Sequence, residues 1–223
     1  MTDAGALSRI LDTRHSCRAF RDTPLPVTLI EEIIGEAQKV PSWCNAQPWQ
    51  VVVTKPAETD RLRAALADAV ARDTPAPDLA FPDRYEGVYK SRRSDCGWAL
   101  YDAVGVRKGD RAGSAAQGMM NFRFFGAPHV ALVTSEAALG SYGVLDCGGF
   151  VTGVTLAAAA RGVATIPQAA IAAYAPLMHR FFNLPETRVV LCAIALGYAD
   201  PDHPANSFRT TRAPLDEVLR WQG

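Results

Sequence analysis

The stretch Val144–Ala160, VLDCGGFVTGVTLAAAA, constrains this chain more than any other. As a helix it is apolar on nearly every face, so it has no polar side to offer water and is expected to be buried on all sides. The rest of the chain must then wrap around it. Gly148, Gly149 and Gly153 lower its helix propensity, and are expected to allow close packing there. No strand leads into these glycines and their spacing is not GxGxxG, so a phosphate loop is disfavoured.

Punctuation along the rest of the chain outlines further elements. Ala4–Thr13 reads as a helix with Leu7, Ile10 and Leu11 on one face. A helix starting near Pro26 carries the stripe Ile30, Ile33, Ile34 and Ala37, and Pro41 stops it. Residues 49–54, WQVVVT, have the β-branched density of a buried strand, and Thr59–Asp73 reads as an amphipathic helix. Helical pieces are expected around Tyr85–Val104 and over Ser114–Phe125, with strands at 129–135 and 188–198 and a helix at 176–183. The segment at about 75–113 is the least core-like, rich in proline, aromatics and basic residues, and reads as a lid within one domain spanning 1–223.

Six or more helices with three clear strands lack the regular alternation of a doubly wound sheet. The expectation is α+β: a small, mostly antiparallel sheet wrapped by helices around a buried central helix. That helix and a long irregular tail suggest an intertwined homodimer. With 23 basic and 23 acidic residues, the chain lacks the basic surplus of a nucleic-acid binder. Mean hydropathy is about zero, no apolar run reaches the 18–20 or so residues of a membrane span, and the opening residues lack a signal-peptide pattern. Five cysteines without a CxxC pair are expected as reduced thiols in the cytoplasm.

Three segments carry groups suited to chemistry. Arg14-His15-Ser16-Cys17-Arg18 sets two guanidiniums, a hydroxyl and backbone N–H groups in a break between helices, the donors that a phosphate monoester needs. A solvated basic turn has the same composition. Arg209 and Arg212 lie in a second Arg/hydroxyl cluster in the tail, which makes one shared anionic ligand more plausible. Pro41-Ser42-Trp43-Cys44-Asn45-Ala46-Gln47-Pro48-Trp49 combines two indoles, two amides and a hydroxyl. It suits either a planar heterocycle or a capped turn whose tryptophans fill core.

Taken together, Arg14-His15-Ser16-x-Arg18-x-Phe20, PSxxNAQPW at 41–49, the Gly197-Tyr198 strand end and Arg-x-Pro at 212–214 resemble the FMN-dependent nitroreductase family. Order and distances match over essentially the whole chain. FFGAPHV (124–130), IPQAA (166–170) and NSFRTTRAPL (206–215) are most similar to its nitrobenzoate-reductase-like branch. The resemblance implies tightly bound FMN, NAD(P)H as electron donor, and ping-pong reduction of nitroaromatic or quinone-like acceptors by a homodimer. It implies that Arg14, Ser16 and Arg18, with His15 through its backbone, hold the phosphate and ribityl, and that Arg212 and Arg209 close that site. Pro41, Ser42, Trp43 and Asn45 would reach the flavin from the partner subunit. Gln117 and Asn121, four apart on one helix face, would bond the ribityl or pyrimidine edge. Pro167, Gln168 and Ala169 would pass under the ring with a backbone N–H near N5, where many members carry Glu-Gly instead of this Pro-Gln-Ala-Ala.

Such chemistry needs no obligatory acid–base residue, since the cofactor does the redox work. His129, His179 and His203 read as structural or surface histidines. Trp43 and the lid aromatics Phe81, Tyr85, Tyr89 and Trp98 are the expected acceptor contacts. Glu86, Tyr89 and Lys90, at i, i+3 and i+4, could grip an amino-acid zwitterion as in a related deiodinase branch, though a solvated face with an internal ion pair is the better account. Reductive dehalogenation or enone reduction on the same scaffold is the first alternative. A flavin-binding protein without turnover is the second.

Overall fold

The computed structural model describes residues 2–223. Its chain order is α1 (Asp3–Thr13), α2 (Val27–Ala37), β1 (Gln50–Val53), α3 (Pro56–Arg72), α4 (Gly87–Ala103), α5 (Arg111–Met119), β2 (His129–Glu136), α6 (Gly140–Ala160), β3 (Ala164–Gln168), α7 (Ala175–Phe182) and β4 (Arg188–Gly197). The four strands form one antiparallel sheet in the order β1-β2-β4-β3. The architecture is α+β, as expected.

The sheet is the middle layer. Alternation along β2 sends Val130 and Leu132 to one face, where Leu62, Leu66, Phe124, Ile171 and Met178 pack. Ala131 and Val133 point to the other, onto Ile33, Trp49, Phe150 and Val154. Both faces of β2 and β4 are therefore dry, which explains continuous apolar runs in place of an alternating pattern. Each fully buried large side chain here contributes roughly 1.5–3 kcal/mol. Between Val133 and Thr134 the β2–β4 register slips by one residue.

Several expectations need correction. β1 is not a buried strand but an edge strand, with Gln50 and Val52 exposed, because only β2 pairs with it. A fourth strand, β3, was not legible: its five residues include Pro167, which an edge strand tolerates because its missing N–H costs no ladder bond. The helix expected over Ser114–Phe125 runs instead over Arg111–Met119. A 3₁₀ segment, Met120–Gly126, follows it, with Phe124 and Phe125 in left-handed conformation (φ 53° each).

The central helix α6 also differs. One face, with Cys147, Phe150, Val154 and Ala158, is buried, while Tyr142, Leu145, Gly148 and Gly149 are exposed, so it is not enclosed on all sides within one chain. With its preceding turn, Ala137–Ala160, it is long and apolar enough to cross a membrane, contrary to the expectation, yet it packs on α2, β2 and β3 as a core element. Gly148 and Gly149 have open space where a Cβ would stand. Only Gly153 serves close packing, since a Cβ there would meet Val40 Cγ1 at 2.8 Å and the Ala37 carbonyl at 3.3 Å. Gly153→Leu is therefore expected to destabilise by about 1–3 kcal/mol, read as a lower urea midpoint at unchanged slope.

Candidate functional site

The break after α1 is knitted to the sheet. Ser16 makes a parallel bridge to Thr165 of β3, Cys17 N–H donates to the Thr165 carbonyl (3.0 Å), and Phe20 bridges Ala199. The basic turn thereby lies along the β3 edge, next to Pro167–Ala169. The tail is fastened to the same turn by Asn206, which is buried. Its Oδ1 accepts from Arg18 N–H (2.7 Å), and its Nδ2 donates to the carbonyls of Ala19 (2.9 Å) and Asp200 (2.8 Å). That clasp was not anticipated. No local signal marks it, because its partners lie far apart in sequence.

The result is a cavity of about 550 Å³ in which Arg14, His15, Ser16, Arg18, Arg209 and Arg212 all take part. Arg18 lies over the Phe208 ring at 5.5 Å, with Nη1 on the Ser16 carbonyl (3.2 Å). Arg209 donates to the Asn206 and Phe208 carbonyls (2.8 Å each), and Arg212 to Thr210 Oγ1 (3.0 Å). Among the described residues, none of these four arginines lies within ion-pair distance of a carboxylate. Burial, and then the Arg212 charge, lowers the Arg14 pKa, and burial lowers that of Arg18. His15 is also held below its usual value, mainly by burial, although its Nδ1 meets the Thr13 carbonyl at 3.1 Å; Arg209, Arg14 and Arg18 add to the depression. Asp12 also lines the cavity, so four cations face one carboxylate there, an excess that favours an anion in a concave, partly dry site.

The other expected cofactor residues do not line this cavity. Pro167 and Gln168 end β3, and Ala169 opens the 3₁₀ turn after it. Gln168 Nε2 donates to the Asn121 carbonyl (2.8 Å) and Oδ1 (3.3 Å), so its side chain braces Asn121. Its Oε1 is buried without a partner. Gln117 lies in α5 but Asn121 lies beyond its end, in the 3₁₀ segment, so the two do not share one helix face as expected.

The 41–49 loop is a tight, left-handed turn with positive φ at Cys44 (50°), Asn45 (56°) and Gln47 (48°). Its two tryptophans divide the two readings between them. Trp49 is core, stacked on Phe150 at 5.0 Å, whereas Trp43 is exposed and meets Tyr142 edge-on at 4.1 Å. Where the loop joins β1, the buried Arg188 donates through Nη2 to the Pro48 carbonyl (3.0 Å) and the Thr134 carbonyl (2.7 Å).

α4 has no buried residue and lies beside the tail around Pro204–Asn206. It gives Cys96 to the basic cavity. Phe81, Tyr85, Tyr89 and Trp98 are exposed and line neither this cavity nor the adjoining one between α4 and the tail. Glu86 pairs with Arg84 (3.0 Å) and not with Lys90, so the expected internal ion pair is absent. Arg92 is bound to Glu217 of the tail (2.6 Å). His129 is buried and satisfied, between the Thr54 carbonyl (2.9 Å) and Leu25 N–H (3.0 Å). Among the described residues no group of three potential metal ligands occurs.

Comparison with known proteins gives one consistent result. The model of the Nitroreductase family matches residues 11–198. A 4-nitrobenzoate reductase of Pseudomonas putida is 36% identical over 215 residues, covering 96% of this chain and 94% of the relative. Nitroreductase NfnB of Mycolicibacterium smegmatis is 33% identical over 223 residues, covering 98% and 93%. The crystal structure of the FMN-dependent nitroreductase NfnB from Mycobacterium smegmatis in complex with NADPH superposes with a TM-score of 0.94 at 32% identity, over 99% of both chains.

Proposed function

This chain belongs to the nitroreductase family, and from that premise we propose that it is an FMN-dependent oxidoreductase that takes hydride from NAD(P)H and reduces nitroaromatic compounds. The observation that carries the reading is the meeting of Arg14, Arg18, Arg209 and Arg212, from opposite ends of the chain, in one cavity to which Asp12 adds a single carboxylate that pairs with none of them. A phosphate monoester supplies the missing charge. FMN, when bound, supplies the two-electron redox chemistry, alternately reduced by the nicotinamide and oxidised by the acceptor.

The chain's own task is to hold and polarise. Arg14, Arg18 and Arg212 present guanidinium forks to the phosphate, and Ser16 adds a hydroxyl. His15 contributes its backbone. Arg209 and Arg212 each spend Nη1 on oxygens of the tail, Arg209 on the Asn206 and Phe208 carbonyls and Arg212 on Thr210 Oγ1 and the Thr211 carbonyl, which leaves Nε and Nη2 of both for the phosphate. The β3 end, Pro167–Ala169, would lie by the ring and offer it a backbone N–H, because Gln168 spends its side-chain amide on Asn121. Gln117 and Asn121 belong to the ribityl and pyrimidine side. Pro41, Ser42, Trp43 and Asn45 approach the flavin of a second subunit.

The exposed apolar face of α6 (Tyr142, Leu145), together with Leu7 and Leu11 of α1, supports a homodimer, since such surface is costly to leave in water. Trp43, Phe81 and Tyr85 before α4, and Tyr89 and Trp98 on it then form the acceptor side. The five free thiols fit a cytoplasmic protein. Cys192 retains some exposed area as a residue, but burial of its thiol pushes the pKa up to about 12, so it is unreactive there.

The test is a visible absorbance spectrum of the purified protein, taken anaerobically before and after NADH and then NADPH. A flavin spectrum that bleaches with either donor, and recovers on adding a nitrobenzoate, is expected. A flavin spectrum that persists with both donors would favour binding without turnover. A colourless protein that refuses added FMN would overturn the phosphate site.

A further inference from the structure

The 41–49 loop holds three non-glycine residues in the left-handed region, a backbone that persists only where surrounding contacts over-determine it. Most of its polar groups are satisfied within the turn. Asn45 N–H donates to the Ser42 carbonyl and Ala46 N–H to the Trp43 carbonyl, both at 3.0 Å. Gln47 N–H donates to Ser42 Oγ (3.0 Å), and Gln47 Nε2 to the Asn45 carbonyl (3.2 Å). Trp43 N–H is the exception. It leaves the turn and is shared by both carboxylate oxygens of Asp146, at 3.2 and 3.1 Å.

Asp146 lies on α6, which packs on α2, β2 and β3, and its carboxylate makes no other hydrogen bond or ion pair among the described residues. One turn before it, Tyr142 packs edge-on to the Trp43 ring. The turn's entry is thus tied to a rigid element by one charge-assisted bond, while its exit is held by Arg188 and by Trp49 on Phe150. Two groups are left facing outward from this frame. Among the described residues, Ser42 Oγ is used only as an acceptor, so its hydroxyl proton stays available, and the Asn45 side-chain amide has no partner.

We propose that Asp146 is a positioning residue, fixing the left-handed turn so that Ser42 and Asn45 present their donors to the flavin. The proposal rests on the reading that this loop reaches the cofactor. Its role is geometric: the carboxylate touches neither cofactor nor acceptor, and acts through the Trp43 peptide.

The experiment titrates refolded apoprotein with FMN, following quenching of flavin fluorescence, in wild type, D146A, D146S, D146N and N45A. Thermal unfolding of each apoprotein is recorded beside it. D146A and D146S are expected to raise the FMN Kd about tenfold. Their apoprotein Tm is expected to stay within roughly 2–4 °C, because Asp146 is not part of the core. Asn retains an acceptor oxygen for Trp43 N–H, so D146N is expected to return to within about threefold of wild type. Trp43 emission should shift in D146A and D146S but not in D146N. Unchanged Kd in D146A and D146S, with a raised Kd in N45A, would overturn the proposal and leave the loop reading standing. Unchanged Kd in N45A and in the Asp146 variants alike would overturn both.

Discussion

Changing Arg14 and Arg212 to alanine is expected to strip FMN from the protein without unfolding it. Each guanidinium forms charge-assisted bonds to the phosphate in this reading, worth about 1.5–3 kcal/mol apiece. That corresponds to an increase of about 10- to 150-fold in the FMN Kd for each single variant. The double variant should lose less than the product, because both groups serve one phosphate. Riboflavin lacks the phosphate and isolates the effect. Its affinity should change little, so the preference for FMN over riboflavin collapses in step with the arginines removed.

Stability should move the other way. Among the described residues these cations have no acidic partner, and the Arg212 charge already works against ionised Arg14. Removing either relieves like-charge repulsion, so the apoprotein Tm should hold or rise. An unchanged FMN-to-riboflavin ratio in both single variants would place the phosphate elsewhere.

The second large effect is structural. Arg188 is 5% exposed, yet it carries a charge into the region where β2 slips register. Its Nη2 serves the Pro48 and Thr134 carbonyls, and Nε donates to Thr134 Oγ1 at 3.1 Å. Among the described residues Glu136 is its only ion-pair partner, at 3.5 Å. Arg188→Met keeps most of the volume but leaves these acceptors buried and unpaired. A loss of about 3–5 kcal/mol is expected, equivalent to a Tm fall of roughly 6–20 °C for a chain of this size. A change below about 1 kcal/mol would mean that water replaces the guanidinium. The expected consequence also reaches the site, because Pro48 is the exit of the 41–49 turn.

Both effects bear on how much could be read from the chain alone. The stripe Ile30, Ile33 and Ala37 makes α2 legible, and the apolar runs at 130–133 and 189–196 make the two central strands legible, because each reports a local partition between water and core. The basic clusters at 14–18 and 209–212 were visible as donor sets, and the ordered blocks around them carried the family. β3 was missed because five residues with a proline show no period. The end of α5 was misplaced because Phe124 and Phe125 adopt left-handed backbone that neither residue type advertises. The outer face of α6 reads as buried in the sequence because apolarity alone does not distinguish an enclosed helix from one with an exposed face.

The sequence by itself determined the α+β class, the places of most helices, the two central strands and the kinds of groups available for an anionic, planar cofactor. Only the tertiary structure decided that the two arginine clusters share one cavity, with Asn206 clasping the tail to the basic turn, and that Asp146 and Arg188 hold the turn at 41–49. Periodicity is a local consequence of side-chain solubility, so neighbouring residues suffice to show it. A contact between residues 18 and 206 depends on how the whole chain closes upon itself, and no short segment carries that information.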